Sequence, residues 1–143
     1  MDDHRENYKA TVVRMLSNFQ LIEFALKEYI GLAYRLISER IKDTLHFSYS
    51  GKDVESFPLE RLINTFSKVN SNRDLISRLN KLRSARNQIA HRSLVVTMGS
   101  LYDPGEVEDK YIEYLWLEDE LTECLKLTIE ELRQLKSKSD NEA

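Results

Sequence analysis

Glycine and proline are rare in this chain, and this scarcity constrains the fold more than any other feature of the sequence. Only four glycines and two prolines occur among 143 residues, and five of these six lie in two short stretches, 51–58 and 99–105. Because glycine and proline are the residues that most often interrupt regular structure, the stretches between them are free to form long helices. The sequence therefore predicts an all-α fold with breaks at these two places.

The spacing of apolar residues supports helices of this kind. In segment 5–45, apolar residues recur at alternating steps of three and four, which is the pattern of a helix with one buried face. A straight helix of that length would span about 60 Å. We therefore expect either a break near Gly31 or pairing of the helix with a second chain along its length. The apolar positions of this series are Val12, Leu16, Phe19, Leu26, Ile30, Ala33, Ile37 and Ile41.

Three further helices are predicted downstream. Ser56 is a suitable cap for a short helix with Pro58 in its first turn, and a third helix begins near Ser71, with Asp74 completing a weak capping box. A last helix covers about 117–135, and the polar tail 137–143 is predicted to be disordered. The core positions that we expect from these helices are Leu59, Leu62, Ile63, Phe66, Leu75, Leu79, Leu82, Ile89, Leu121, Cys124, Leu125, Thr128, Leu132 and Leu135.

Segments 94–98 and 111–116 are rich in β-branched and aromatic residues and flank a glycine and proline turn region, so they predict a small β-hairpin or an irregular insert. A chain of 143 residues is long enough for one domain with one core. The prediction is a single bundle of about four to five helices over residues 5–136.

Charge is distributed unevenly along the chain. The net charge is −3, yet segment 61–92 has eight basic residues and one acid, a net of +7, whereas segment 103–131 has eleven acids and two lysines, a net of −9. Such segregation can give a positive face that binds a polyanion, or the two regions can neutralise each other in the fold. The sequence alone leaves both interpretations open.

Several classes of protein are disfavoured by the composition. No apolar run approaches the roughly 18 residues of a membrane span, and the polar start of the chain lacks the pattern of a secretory signal, so a cytoplasmic location is expected. The one cysteine, Cys124, is predicted to be a core thiol. His4 and His46 belong to no metal-ligand motif, and we expect neither a metal nor a cofactor.

Two charged residues interrupt the apolar helix faces, Glu23 in the first long helix and Arg86 in the third. Burial of either charge alone costs several kcal/mol, so we expect the two to be partners. One interpretation is an ion pair that fixes the register of the two helices. The other is a carboxylate that orients an arginine whose remaining donors bind a phosphate.

Arg86 also begins the hexapeptide RNQIAH, which ends at His91. On a regular helix five residues correspond to about 140° of rotation and 7.5 Å of rise, so Arg86 and His91 diverge, whereas Asn87 shares the face of His91. The arginine and the histidine converge only if the helix ends near Ala90 or if a two-fold axis juxtaposes two copies of the segment.

This hexapeptide resembles the motif of the HEPN superfamily (higher eukaryotes and prokaryotes nucleotide-binding), in which an arginine, often followed by asparagine, precedes a histidine by four to six residues. Arg86, Asn87 and His91 match this pattern, and the flanking LRSARNQIAHRSL has the usual leucine and alanine setting. The resemblance extends over about residues 10–135 in its helical layout. One branch of the family, which is paired with a nucleotidyltransferase antitoxin, has tyrosine two residues after the histidine, where this chain has Ser93.

The resemblance implies a helical bundle, commonly a homodimer with its two motifs facing each other, and a metal-independent endoribonuclease in toxin–antitoxin or phage-defence systems. It implies His91 as general base or acid, Arg86 as stabiliser of phosphate charge, Asn87 as orienting residue and Glu23 as support for Arg86. Arg83, Arg92, Lys81 and Arg78 are predicted to bind RNA through its phosphates. The alternative is a catalytically inactive helical module for dimerisation, nucleotide binding or partner binding, as in family members that have lost catalysis.

Overall fold

A computed structural model describes residues 3–89 and 103–142 of the chain, and all regular structure in these two ranges is helical. This confirms the predicted all-α bundle. The four α-helices are α1 (Asp3–Ile41), α2 (Leu59–Val69), α3 (Arg73–Gln88) and α4 (Pro104–Glu142), and a single 3₁₀ turn, Gly51–Val54, lies between α1 and α2.

The two long helices, α1 and α4, pack against each other and run in the same direction. The ring centroids of Tyr8 and Tyr114 lie 5.8 Å apart in a stacked arrangement, and Nε of Arg14 donates to Oε1 of Glu118 over 2.7 Å. Contacts therefore advance in the same order along both helices. Because α1 and α4 are parallel, the chain must return between them. α3 makes part of this return, since it runs from the level of Tyr29 on α1, which Asn70 contacts, to the level of Glu23, which Arg86 contacts.

The core lies between the apolar faces of all four helices. Of the series predicted on α1, five residues are buried, namely Val12, Phe19, Leu26, Ile30 and Ala33. Leu16, Ile37 and Ile41 are only partly buried, and the series missed the fully buried Tyr8, Met15 and Ile22. The ring of Tyr29 meets the ring of Phe66 on α2 edge-on at 4.9 Å. The four apolar residues predicted for α2 and the four predicted for the third helix are all buried. The largest fully buried side chains are Tyr8, Phe19, Phe66, Met15, Ile22, Leu26, Ile30, Leu62, Ile63, Leu75, Leu79 and Ile89.

The expected break near Gly31 is wrong, because α1 continues through this residue. Gly31 instead allows the 3₁₀ turn to approach α1 closely: a Cβ atom at this position would lie 3.3 Å from Cα of Gly51. The glycine therefore serves close backbone packing rather than a kink. The alternative, pairing of α1 with a second chain, stays a prediction, although within this chain α4 already covers much of α1.

The capping residues of α2 and α3 differ from those predicted. Pro58, rather than Ser56, is the N-cap of α2, and Asn72, rather than Ser71, is the N-cap of α3. Oδ1 of Asn72 accepts a hydrogen bond of 3.1 Å from the backbone N–H of Leu75. Asparagine is as good a cap as serine, so neighbouring polar residues compete for this position and the sequence does not select one.

Two predictions for the C-terminal third are also wrong. Segment 111–116 lies inside α4 and not in a β-hairpin, while segment 94–98 lies outside the described residues. Residues 137–142 continue α4 instead of forming a disordered tail. This tail has no glycine or proline to end the helix, so helical geometry continues through its polar residues.

Among the described residues, no helix is both long enough and apolar enough to cross a membrane.

Candidate site at the end of the third helix

Arg86 and Glu23 form an ion pair between α3 and α1. Nε of Arg86 lies 3.0 Å from Oε1 of Glu23, which confirms the predicted contact between these residues. Both atoms are buried, yet the N–H is not aimed at the carboxylate well enough for a hydrogen bond, and neither atom has another hydrogen-bond partner among the described residues. The contact is therefore an ion pair that does not use the full bonding capacity of either group.

Burial explains why the two residues occur together. The side chain of Glu23 is only 17% exposed and that of Arg86 is 35% exposed, so each charge has lost part of its hydration. A buried charge without a partner is costly, and the pair offsets this cost for both residues. The contact engages the Nε edge of the guanidinium, and the N–H groups on Nη1 and Nη2 are further donors that a phosphate could use.

A polar groove of about 360 Å³ lies beside this ion pair, between the C-terminal part of α3 and the start of α2. Arg86 and Asn87 line it from α3, and Asn87 is exposed. The groove brings together two of the three residues of the motif, and a ligand in it would reach both. Within 3–89 and 103–142, the residues that line it are Pro58, Leu59, Glu60, Arg83, Ser84, Arg86 and Asn87.

Arg83, which the sequence predicted to bind RNA, also lines this groove. Its Nη1 lies 3.0 Å from Oε1 of Glu60 at the start of α2. The Glu60 side chain is 76% exposed, and an ion pair of this kind in water contributes only about 0–1 kcal/mol. Arg83 can therefore exchange this carboxylate for a phosphate at little cost.

Arg78 and Lys81 lie elsewhere. The Arg78 guanidinium donates from Nε to Oε1 of Glu120 on α4 over 2.7 Å, and this hydrogen bond raises the pKa of the arginine. Arg78 thus neutralises part of the acidic segment, as one of the two interpretations of the charge pattern expected. Lys81 is exposed on α3 but does not line the groove beside Arg86.

His91, Arg92 and Ser93 lie outside the described residues, so the relation of the imidazole to Arg86 stays a prediction. Ile89, two residues before the histidine, is buried and still has helical backbone angles, with φ −62° and ψ −47°. Among the described residues, no cluster of histidine, cysteine, aspartate and glutamate side chains is suited to hold a metal ion.

Cys124 lies in the core, as predicted, and away from this site. Its side chain is fully buried, and its thiol donates to Oε1 of Glu120 over 3.4 Å. Burial, assisted by this hydrogen bond, raises the pKa of the thiol to about 12. A thiol of this kind is a poor nucleophile at neutral pH.

The sequence interpretation missed Glu60 as the partner of Arg83. Opposite charges at the start of one helix and near the end of the next were visible in the sequence, but they indicate a contact only once the two helices are known to be neighbours. That information comes from the fold.

A scan against protein-family models found no match, and searches of the curated proteins and of the solved structures found no significant match.

Proposed function

We propose that this chain is a metal-independent endoribonuclease of the HEPN type that acts as a homodimer. The observation that carries the proposal is the partly buried ion pair of Glu23 and Arg86, next to an exposed Asn87 and a polar groove. A purely structural ion pair has no need for such a groove. A site for a phosphate needs both an oriented guanidinium and access for the ligand.

The proposed reaction uses the 2′-hydroxyl of the RNA as the nucleophile. A base removes the proton of the 2′-hydroxyl, its oxygen forms a bond to phosphorus, and the bond from phosphorus to the 5′-oxygen breaks. An acid protonates this leaving oxygen, so the products are a 2′,3′-cyclic phosphate and a 5′-hydroxyl. His91 is proposed to supply one of the two proton transfers, because histidine is the side chain that ordinarily exchanges a proton near neutral pH.

Arg86 stabilises the negative charge that develops on the phosphate oxygens, and Glu23 acts through it as a positioning residue. Removal of one such charge-stabilising donor typically lowers kcat by about 10²–10³-fold. Asn87 orients the imidazole or the phosphate through its amide. In a homodimer the hexapeptides of both chains would contribute to one composite site. The same proposal includes a role in a toxin–antitoxin or phage-defence system, with an antitoxin protein as partner.

Cleavage of a structured RNA in EDTA tests the reaction. We expect the purified protein to produce fragments with 2′,3′-cyclic phosphate ends, and His91→Ala to lose this cleavage by at least about 10²-fold, since general acid–base catalysis contributes that much. A substrate with a 2′-deoxy nucleotide at the cleaved position should resist. Gel analysis of end-labelled fragments measures both results.

Arg133→Ala is the control for this experiment, since Arg133 is an exposed arginine on α4 that pairs with its neighbour Glu130. It should cleave as the unaltered protein does, and far-UV circular dichroism should show all variants folded. Absence of cleavage by the unaltered protein, or equal cleavage by His91→Ala, would overturn the proposal in favour of the catalytically inactive binding module.

A further inference from the structure

A polar groove continues from the candidate site along the whole of α3. The groove beside Arg86 shares Pro58, Glu60 and Arg83 with a second groove of about 580 Å³ between α2 and α3. The second groove shares Arg73 with a third, of about 670 Å³, at the start of α3. The three follow one another from Asn87 to Arg73, a distance of about 21 Å along the helix axis.

Basic side chains are spaced along these three connected grooves, which together we call the α2–α3 path. Arg83 lies at the end near the motif, Arg61 and Arg73 line the middle groove, and Lys68 and Lys138 line the far groove. All of these side chains except Arg83 are largely exposed, so they retain access to a ligand. A row of cations along a groove follows a chain of phosphates better than it holds one compact anion.

The remaining groups on the path suit a nucleic acid backbone. Asn64 and Asn80 supply amide side chains to the middle groove and Asn72 to the far one. The acidic groups on the path have partners: Glu60 contacts Arg83, and Glu131 accepts a hydrogen bond of 2.8 Å from Asn70. The positive charge of the groove is therefore only partly compensated from within the protein.

One contact on the path favours stacking of a nucleobase in addition to attraction between charges. The guanidinium carbon of Arg61 lies 3.9 Å from the centroid of the Phe57 ring, which places the guanidinium over the face of the ring. The opposite face of a guanidinium held in this way can stack on a nucleobase, and such stacking tolerates any base.

We propose that the α2–α3 path, defined by Arg83, Arg61, Arg73, Lys68 and Lys138, binds single-stranded RNA and leads it to the site at Arg86. The inference rests on the proposed function for its choice of RNA, but it concerns binding and not cleavage. The path differs from the surface predicted from sequence, because Arg78 and Lys81 do not line it.

Binding can be measured apart from cleavage in the His91→Ala background, with a 5′-fluorescein-labelled single-stranded RNA of mixed sequence and fluorescence anisotropy. We expect Arg61→Gln/Arg73→Gln to raise Kd about tenfold at low salt. The slope of log K against log salt should become shallower by about 1.4, because each phosphate of a single strand that the protein no longer neutralises reduces the slope by about 0.7.

Arg35→Gln/Arg133→Gln is the matched control. It removes the same charge from two exposed arginines that lie off the path, and it should leave the salt slope unchanged. If this variant weakens binding as much as the variant on the path, or if the path variant binds normally, the inference is wrong.

Glu60→Gln provides a test in the opposite direction. Loss of this carboxylate frees Arg83 from its competing partner, so we expect tighter RNA binding by about two- to fivefold, a gain that a damaged fold would not give. Unchanged or weaker binding would contradict the path at Arg83.

The two proposals can fail separately. Path-dependent binding without cleavage by the unaltered protein would remove the ribonuclease and retain the RNA path. If His91→Ala loses cleavage and the path variant binds RNA normally, the ribonuclease is retained and the RNA path is removed. Tighter binding of a DNA strand of the same sequence would overturn the choice of RNA.

Discussion

At the scale of single residues, the contact of Glu23 with Arg86 places two charges at partly buried positions between α1 and α3. Burial of an ion pair is weak support for stability, since well-packed apolar residues of similar volume often serve as well. The imperfect aim of the Arg86 N–H at the carboxylate agrees with this view. If the proposed function is correct, the pair is there for what the arginine binds and not for what it adds to the fold.

Substitutions at these two positions separate function from stability. Arg86→Met alone leaves the Glu23 carboxylate buried without its partner, so we expect the free energy of unfolding to fall by about 1–3 kcal/mol. Glu23→Leu/Arg86→Met should recover most of this loss, because both charges are removed together, and RNA cleavage should stay absent. Urea titration followed by circular dichroism measures the stabilities, and a loss in the double variant as large as that in Arg86→Met would show that the pair itself stabilises the fold.

The sequence could predict this contact because each residue is a single exception in an otherwise apolar series. The groove beside it could not be predicted in the same way. Arg73, Asn80, Arg83 and Asn87 recur at helical spacing, but nothing in their order shows that α2 lies opposite them. A periodic pattern identifies a face of a helix, whereas the neighbour of that face depends on the whole fold.

At the scale of helices, the close approach of α1 and the 3₁₀ turn depends on the absence of a side chain at Gly31. Alanine would normally stabilise a helix by about 1 kcal/mol relative to glycine, yet even a Cβ would lie 3.3 Å from the Gly51 backbone. A larger residue has nowhere to move, because the atom that it meets belongs to the main chain.

We therefore expect Gly31→Val to lower the free energy of unfolding by about 1–3 kcal/mol, the usual cost of overpacking. Ala10→Val is the control, because Ala10 is exposed on the same helix and valine costs only a few tenths of a kcal/mol there. Thermal melts of both variants measure the difference. An equal effect at the two positions would mean that the turn does not constrain Gly31.

The length of α4 shows where local sequence preference misleads. Residues 111–116 are rich in aromatic and aliphatic side chains and resemble a strand, yet Val107, Tyr114 and Leu121 are buried at intervals of seven residues. Two helical turns separate residues seven apart, so all three lie on one face against the core. This longer periodicity prevails over the composition of six residues, because burial of the face stabilises more than strand preference opposes it.

At the scale of the whole molecule, Cys124 reports on the integrity of the core. With its pKa raised from 9.0 to about 12, the native thiol is about one ten-thousandth ionised at pH 8, against about one tenth when unfolded. We expect Ellman's reagent to react with native protein only at the rate of unfolding and to react rapidly in urea. Rapid reaction of the native protein would show that the α4 face opens locally.

The same shift in pKa determines whether the contribution of Cys124 to stability rises or falls with pH. A raised native pKa means that the unfolded chain loses its thiol proton first, so the contribution of Cys124 to stability is complete below about pH 9. It should decrease as the pH rises from about 9 towards 12. Urea titrations across this range, compared with those of Cys124→Ala, isolate the contribution of the thiol.

The parallel arrangement of α1 and α4 has a consequence for how the protein is made. Arg14 and Glu118, which join the two helices, are 104 residues apart in the chain. At about 5–20 residues per second, a ribosome needs several seconds or more to add the second partner after the first. Throughout that interval the apolar face of the nascent α1 must stay soluble without α4, its main neighbour. α2 and α3 are synthesised before α4, so they are the first elements that can cover this face.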